Sequence, residues 1–306
     1  MKGGVEQIKT EIFLFRHGKT EANEKHLYCG KSDLPLSKKG EAELRAKVRA
    51  ANSLNAQTAS SGISIYPDIS HCKIFTSGLK RTSQSLGILY PEIESSLKRA
   101  QSPAENSANT SKNESFSPIW DGTAFIEEPS FQEIDFGDFE MKSYEELKDN
   151  PEYQKWLEGE AERFEREKTE KSREETRFSK RLTQNRVDRI LLRSTEYNDN
   201  PCPHGESWLQ MKNRVISALE RAIKNYRSLA IFTHGGPISA IMAYFFPNEG
   251  KSMFEWQPNF GEGYKITLEY DNSDDGGRDS EIGNHNPDFF QSSRYEKIPS
   301  EKGETC

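Results

Sequence analysis

The sequence has few cysteines, a modest hydrophobic content and no long apolar run. Four cysteines among 306 residues, with no Cys-x-x-Cys pair, argue against a disulfide framework and against a cysteine-bound zinc site. No apolar stretch reaches the roughly 18 residues of a membrane span, and residues 1–10 contain no signal-peptide core. We therefore expect a reduced, cytoplasmic protein without membrane partners.

Hydrophobic residues make up only 33% of the chain, and its mean hydropathy is −0.87. The core must therefore be concentrated in part of the sequence. The net charge of −7 argues against a nucleic-acid partner, although it leaves room for a local basic pocket that binds a small anion. The length allows one α/β domain of about 200 residues with extensions.

The hydrophobic pattern predicts repeated βα units. The predicted elements are, in order, a strand at 11–16, a helix capped by Ser37, a strand at 72–75, a helix at 79–89, a helix from about 205, a strand ending at Thr233, and a last strand at 264–270. We also expect residues 124–131 to be ordered, followed by a loop at 132–140. The fold class is therefore α/β.

Three polar segments interrupt or follow this pattern. We expect a flexible insertion at about 92–118, a charged insertion at about 158–200, and a polar, disordered tail at 272–306. The charged segment is typical of a solvated helix with i,i+4 ion pairs, and a lid over the site is the alternative. The domain itself is expected to span residues 1–271.

Two predicted strands end in a histidine followed by glycine, in Arg16-His17-Gly18 and in Thr233-His234-Gly235. Ligands of open α/β sheets bind outside the carboxyl ends of the strands, so both imidazoles should reach one crevice. The fixed charge of Arg16 beside His17 repels a metal cation and attracts a phosphate or carboxylate. The pattern predicts an anion site with no metal.

Five sequence blocks resemble those of the histidine phosphatase superfamily, also called phosphoglycerate-mutase-like. They are the stretch from Arg16 to Asn23 with Tyr28–Gly40, then Thr76–Thr82, Glu133–Glu140, Gly205-Glu206-Ser207 and Thr233–Gly236. The resemblance implies a three-layer α/β/α sandwich with a mostly parallel sheet. It also implies phosphoryl transfer through a phosphohistidine without a cofactor.

The string from Phe136 to Met141 resembles the branch of α-ribazole phosphatases and broad-specificity phosphatases, with Phe139 in place of Trp and Met141 in place of Gly. Lys19 is a further departure, since Glu or Gln is commoner there, and a lysine facing the pocket would favour anionic substrates. The Tyr-Gly-x-Leu string of cofactor-dependent phosphoglycerate mutases is absent.

The resemblance and the chemistry assign roles to ten residues. His17 is the expected nucleophile, because a neutral imidazole attacks phosphorus well. Glu133 is the expected general acid, with Asp135, Asp138 and Glu140 as rivals. The expected substrate-binding residues are Arg16, Gly18, Asn23, Cys29, Gly30, Arg81, His234 and Gly235. Glu206 is interpreted instead as a carboxylate that favours a helix N-terminus.

We expect a phosphomonoesterase that acts on a small phosphorylated metabolite. A phosphomutase and a phospho-ligand-binding regulatory module are the alternatives. The oligomeric state stays open, a homo-oligomer included.

Overall fold

The computed structural model describes residues 7–57, 66–93, 125–157, 200–249, 251–271 and 292–299. Its centre is a six-stranded sheet with the strand order β3-β2-β4-β1-β5-β6. The first four of these strands run parallel, and β5 is antiparallel to both of its neighbours. The predicted α/β class with a mostly parallel sheet is confirmed.

The elements have the following bounds. The strands are β1 (Gln7–Arg16), β2 (Lys73–Thr76), β3 (Ile126–Glu127), β4 (Ser228–Thr233), β5 (Gly263–Asp271) and β6 (Ser292–Ile298). The helices are α1 (Glu21–Glu24), α2 (Lys38–Gln57), α3 (Lys80–Leu89), α4 (Tyr144–Leu147), α5 (Trp208–Asn225) and α6 (Gly235–Phe245). Short 3₁₀ turns lie at Pro129–Phe131, Gly137–Phe139 and Pro247–Glu249.

Helices cover both faces of the sheet because successive strand residues point to opposite sides. On one face, Ile12, Leu14 and Ile231 belong to a buried cluster with residues of α5 and α6. On the other face, Phe13 and Phe15 belong to a second cluster with residues of α2 and α3. Burial of each such side chain contributes about 1.5–3 kcal/mol. The three-layer sandwich is confirmed.

Two helices begin at the hydroxyl residues that the sequence indicates. The Ser37 hydroxyl accepts from the backbone N–H of Gly40 at the start of α2. At the start of α5, Ser207 and Gln210 form a reciprocal capping box. The predicted starts near Ser37 and Ser207 are therefore confirmed.

The register of the central strands aligns their carboxyl ends. Arg16 of β1 lies opposite Thr233 of β4, and Thr76 of β2 lies opposite Phe232. The residues that follow, His17, Ser77 and His234, consequently emerge side by side at one edge of the sheet.

Several predicted segments differ from the structure. In the region predicted to regain order at 124–131, only Ile126–Glu127 forms a strand, and a 3₁₀ turn follows it. The expectation of a disordered tail is wrong for Ser292–Ile298, which pairs with β5 as an edge strand. Six of its seven residues are not buried, so the hydrophobic pattern is too weak to reveal it. Most of the predicted insertions, at 94–118 and 158–199, lie outside the described residues.

No helix in the described part of the chain is both long enough and apolar enough to span a membrane. Three of the four cysteines lie in the described ranges, and each of these is a free thiol.

Candidate active site

The two histidines that follow β1 and β4 lie against each other. The ring centroids of His17 and His234 are 4.9 Å apart, with the rings nearly edge to face. Both rings are buried, with His17 only 5% exposed. The two strands therefore bring both imidazoles together, as the sequence predicts, while their binding of a ligand stays a prediction.

The hydrogen bond of His17 fixes which of its ring nitrogens carries the proton. Nδ1 of His17 lies 2.6 Å from the carbonyl oxygen of Gly18, and a carbonyl can only accept. The neutral ring therefore has its proton on Nδ1 and a lone pair on Nε2. The Gly18 backbone is in turn held by its N–H, which donates to the Ser85 hydroxyl at 2.9 Å.

The surroundings of His17 keep its ring neutral. Burial holds the pKa of His17 well below its usual value, and the positive charges of Arg81 and Arg16 lower that pKa further. The ring is therefore unprotonated at neutral pH. An unprotonated Nε2 is the form that a nucleophile needs.

His234 has the opposite tautomer. Its Nδ1 accepts from Nε of Arg81 at 3.3 Å, and a guanidinium only donates, so the ring proton lies on Nε2. Nε2 donates to the Ser77 hydroxyl at 2.8 Å, and that oxygen is 3.1 Å from the Thr82 hydroxyl. Burial also holds the pKa of His234 well below its usual value, with the charge of Arg81 as the next cause.

Arg81 enters the site from the first turn of α3 and is 1% exposed. Besides His234, its guanidinium donates to the carbonyl oxygens of Ser32 at 2.7 Å and Gly30 at 2.6 Å. These contacts use three of its five N–H groups. The guanidinium is thus fixed beside the two imidazoles with donors left for an anion.

Arg16 is the second cation whose charge acts on both histidines. Its Nη1 donates to the carbonyl oxygen of Pro258 at 2.8 Å, and its guanidinium carbon lies 4.1 Å from the centre of the Phe260 ring. Among the described residues, Nε of Arg16 is one of the few buried side-chain donors without a hydrogen-bond partner. Such unused donor capacity is typical of a site that binds an anion.

Glu133 lies next to the start of α6. One of its oxygens accepts from the backbone N–H of Gly236 at 3.1 Å, and the other accepts from Ile134 at 3.1 Å. A Cβ at position 236 would lie 2.1 Å from the Glu133 carboxylate, so only glycine allows this approach. At position 235 a Cβ would lie 2.9 Å from Gln257 and 3.3 Å from Arg16.

The loop that carries Glu133 is held by an ion pair between Glu206, just before α5, and Arg214 of α5. Arg214 donates to both carboxylate oxygens of Glu206, at 2.8 and 2.7 Å. It also donates to the carbonyl oxygens of Ser130, Gln132 and Glu133. The sequence analysis interprets Glu206 as a carboxylate at a helix N-terminus and does not identify Arg214 as its partner. Apart from its spacing of eight residues from Glu206, nothing in the sequence pattern marks Arg214 as that partner.

The three rival carboxylates of Glu133 have other partners. Asp135 contacts Lys31 at 3.2 Å, and Asp138 contacts His204 at 3.0 Å on the surface. Glu140 accepts from the backbone N–H groups of Gly30, Lys31, Ser32 and Phe136 and from the Ser32 hydroxyl. Of the four candidates, Glu133 is therefore the one held against Gly236 beside the histidine pair.

Glu140 fixes the loop that orients Arg81. Its oxygens bind the N–H groups of residues 30–32, and the carbonyl groups of Gly30 and Ser32 in the same loop bind the Arg81 guanidinium. A Cβ at position 30 would lie 1.7 Å from the Ile134 carbonyl oxygen, so the loop also needs glycine there. Gly30 thus contributes its backbone to Arg81.

The remaining predicted residues differ in their placement. Cys29 is half-buried with its Sγ 3.8 Å from the Ser32 carbonyl oxygen, and burial raises the pKa of its thiol. The side-chain oxygen of Asn23 caps α1 by accepting from Thr20. Lys19 pairs with Glu43 at 3.0 Å instead of facing the histidines. The binding roles of Asn23 and Cys29 stay predictions, as do the roles of the other predicted site residues.

A comparison with protein families identifies the chain. The model of the histidine phosphatase superfamily (branch 1) matches residues 12–94 and 175–273, more than half of the sequence. The chain therefore belongs to this superfamily. The matched ranges contain Arg16, His17, Arg81 and His234, whereas Glu133 lies between them, so its assignment depends on the geometry described above. Residues 175–200, predicted as part of an insertion, fall within the match.

A search of curated proteins found no match. Among solved structures, an Escherichia coli K-12 protein provisionally named as an alpha-ribazole-5'-P phosphatase has 16% identity and a TM-score of 0.49, over 85% of this chain and 90% of that one. A phosphoglycerate mutase from Thermus thermophilus has 20% identity and a TM-score of 0.41, over 84% and 92%. Neither similarity is close enough to indicate a function.

The contacts of Glu140 generate a prediction. In Glu140→Ala the loop at 30–32 loses its carboxylate partner, so the Arg81 guanidinium is no longer held in position. We expect the affinity for orthovanadate, a phosphate analogue, to fall about tenfold, which corresponds to about 1.4 kcal/mol. The affinity should fall less in Glu140→Gln, because glutamine keeps one acceptor oxygen.

Vanadate binding is measured by isothermal titration calorimetry, and the melting temperature of each variant is recorded in parallel. Glu146→Gln, which alters a capping-box carboxylate of α4, is the matched control and should bind vanadate normally. A lower melting temperature with unchanged vanadate affinity in Glu140→Ala would show that Glu140 only stabilises the fold.

Proposed function

We propose that this protein is a metal-independent phosphomonoesterase that acts on a small phosphorylated metabolite through a phosphohistidine at His17. The observation that carries the proposal is the hydrogen bond from Nδ1 of the buried His17 ring to the Gly18 carbonyl, which leaves a lone pair on Nε2, while burial and the charges of Arg81 and Arg16 lower the pKa of the ring. A nucleophile flanked by two fixed cations is suited to a phosphoryl group, whose equatorial oxygens carry negative charge.

The reaction would take place in two displacements. In the first, Nε2 of His17 forms a bond to phosphorus while the bond from phosphorus to the ester oxygen breaks. Protonated Glu133 gives its proton to the leaving alcohol. In the second, the Glu133 carboxylate takes a proton from water, the hydroxide oxygen bonds to phosphorus, and the phosphorus–nitrogen bond breaks. Inorganic phosphate leaves and His17 is restored.

The surrounding donors would act on the transferring group. Arg16 and Arg81 would bind its oxygens as fixed guanidinium donors, which act most strongly when they are preorganised in a buried site. His234 would add its Nε2 proton if the hydrogen bond to Ser77 were exchanged for one to the phosphoryl oxygen. No step in this scheme requires a metal ion.

The first test is a phosphatase panel in the presence of EDTA. We expect hydrolysis of p-nitrophenyl phosphate and of alkyl phosphates without metal, and a loss on the order of a thousandfold or more in His17→Ala. His71→Ala, which removes a half-exposed histidine outside the site, should keep its activity. Rapid quenching should trap an acid-labile, base-stable phosphoryl label on the wild-type protein.

Two outcomes would contradict the proposal. Isomerisation of a phosphoglycerate faster than phosphate release would indicate a mutase. Phosphate-ester binding without turnover or labelling across the panel would indicate a regulatory binding module.

The role of Glu133 generates a separate prediction. Glu133→Gln removes the proton that a poor leaving group needs, so kcat/KM for an alkyl phosphate should fall by about 10²–10⁴. The loss for p-nitrophenyl phosphate should be much smaller, because nitrophenolate leaves without protonation. Steady-state kinetics with both substrates measure this difference.

Asp138→Asn, which changes an exposed carboxylate in the same loop, is the control and should leave kcat/KM for both substrates unchanged. An equal loss on both substrates in Glu133→Gln would rule out the general-acid role.

A further inference from the structure

An open cleft is lined in part by Glu133, whose carboxylate also accepts from Gly236, two residues after His234. Its volume is about 320 Å³, and its charged lining consists of Lys31, Glu133, Asp135, Glu206 and Arg214. That volume falls in the lower part of the range for small-molecule sites, about 300–1,000 Å³. Because the cleft borders the carboxylate assigned to protonate the leaving group, it is where the alcohol part of a bound phosphate ester would lie.

Arg214 is a cation in the lining but has no donor left for a ligand. A guanidinium has five N–H groups. All five are used, by the two oxygens of Glu206 and by the carbonyl groups of Ser130, Gln132 and Glu133. The charge of Arg214 is also neutralised by Glu206 in a two-point contact.

Lys31 is the other cation of the lining, and it is paired as well. Its Nζ lies 3.2 Å from a carboxylate oxygen of Asp135. The second oxygen of Asp135 accepts from the backbone N–H of Gly137 at 2.9 Å. The side chain of Asp135 is only 23% exposed, whereas that of Lys31 is 72% exposed, so the carboxylate is the fixed member of the pair.

The cations of this lining are therefore both paired. Arg214 is balanced by Glu206 and Lys31 by Asp135, and Glu133, the remaining charged side chain of the lining, carries no positive charge in either protonation state. The free cationic donors described in the site belong to Arg16 and Arg81, neither of which lines the cleft. A phosphoryl group can thus be bound by these two guanidinium groups, while a second anionic group in the cleft has no free cationic partner.

We propose that the cleft selects phosphomonoesters whose alcohol part is uncharged or cationic, and that Asp135 sets this selectivity. The inference rests on the proposed phosphomonoesterase activity and adds the class of its substrate. Alcohols that carry a carboxylate or a second phosphate are disfavoured, because the lining offers them no unpaired cation: Arg214 is held by Glu206 and Lys31 by Asp135.

A matched pair of esters tests this proposal. Glycerol 3-phosphate and 3-phosphoglycerate share a three-carbon skeleton, and the second carries a carboxylate in place of a hydroxymethyl group. We expect kcat/KM to favour glycerol 3-phosphate by about tenfold or more. Asp135→Asn keeps an acceptor for Gly137 and frees Lys31, so this preference should shrink by about three- to tenfold, the size expected of one solvent-exposed ion pair.

Asp138→Asn removes a carboxylate from the same loop outside the cleft and should leave the preference unchanged. Titration of both esters into the His17→Ala protein measures their binding affinities without turnover. We expect glycerol 3-phosphate to bind more tightly than 3-phosphoglycerate there too. High salt should also reduce the change in this preference that Asp135→Asn causes, because screening weakens charge interactions.

The outcomes separate this inference from the proposed function. His17-dependent hydrolysis of p-nitrophenyl phosphate together with a preference for 3-phosphoglycerate would overturn the cleft proposal alone. Absence of any His17-dependent turnover would overturn the proposed function, and the titrations would then decide on the cleft. Three results would each overturn the cleft proposal. They are tighter binding of 3-phosphoglycerate than of glycerol 3-phosphate, no binding of either ester, and the same preference between the two esters in wild type and in Asp135→Asn.

Discussion

The hydrogen bond from Nδ1 of His17 to the Gly18 carbonyl determines the chemistry that this site can perform. It leaves the lone pair on Nε2, and burial together with the charges of Arg81 and Arg16 lowers the pKa of the ring and keeps it neutral. A protonated ring in this place would add a third positive charge to a buried site, which is costly without a bound anion. The same cations that disfavour protonation are suited to attract a phosphoryl group.

Carboxylates around the site hold its cations and loops in place. Glu140 fixes the loop whose carbonyl groups orient Arg81, and Glu206 pairs with the Arg214 that supports the loop carrying Glu133. Each of these groups has several hydrogen bonds, so its geometry is set before a ligand binds. Preorganisation of this kind is the largest contribution to stabilising charge in a transition state.

The sequence could predict the parts of the molecule with strong local signals. The strands that lead into His17 and His234 contain hydrophobic runs, and parallel pairing brings their ends together, so the histidine pair was predictable. Glu140 and Arg214 act through backbone carbonyl and N–H groups, which leave no pattern in side-chain spacing. The edge strand β6 is mostly exposed and lacks the apolar alternation by which strands are recognised.

The protonation state of His17 is the most direct test of this mechanism. Nitrogen NMR of ¹⁵N-labelled histidine, assigned by comparison with His17→Ala, reports the tautomer and the titration of the ring. We predict a neutral ring with its proton on Nδ1 at pH 6.5, where an exposed imidazole is about half protonated. A ring that is protonated at pH 6.5, or neutral with its proton on Nε2, would contradict the mechanism.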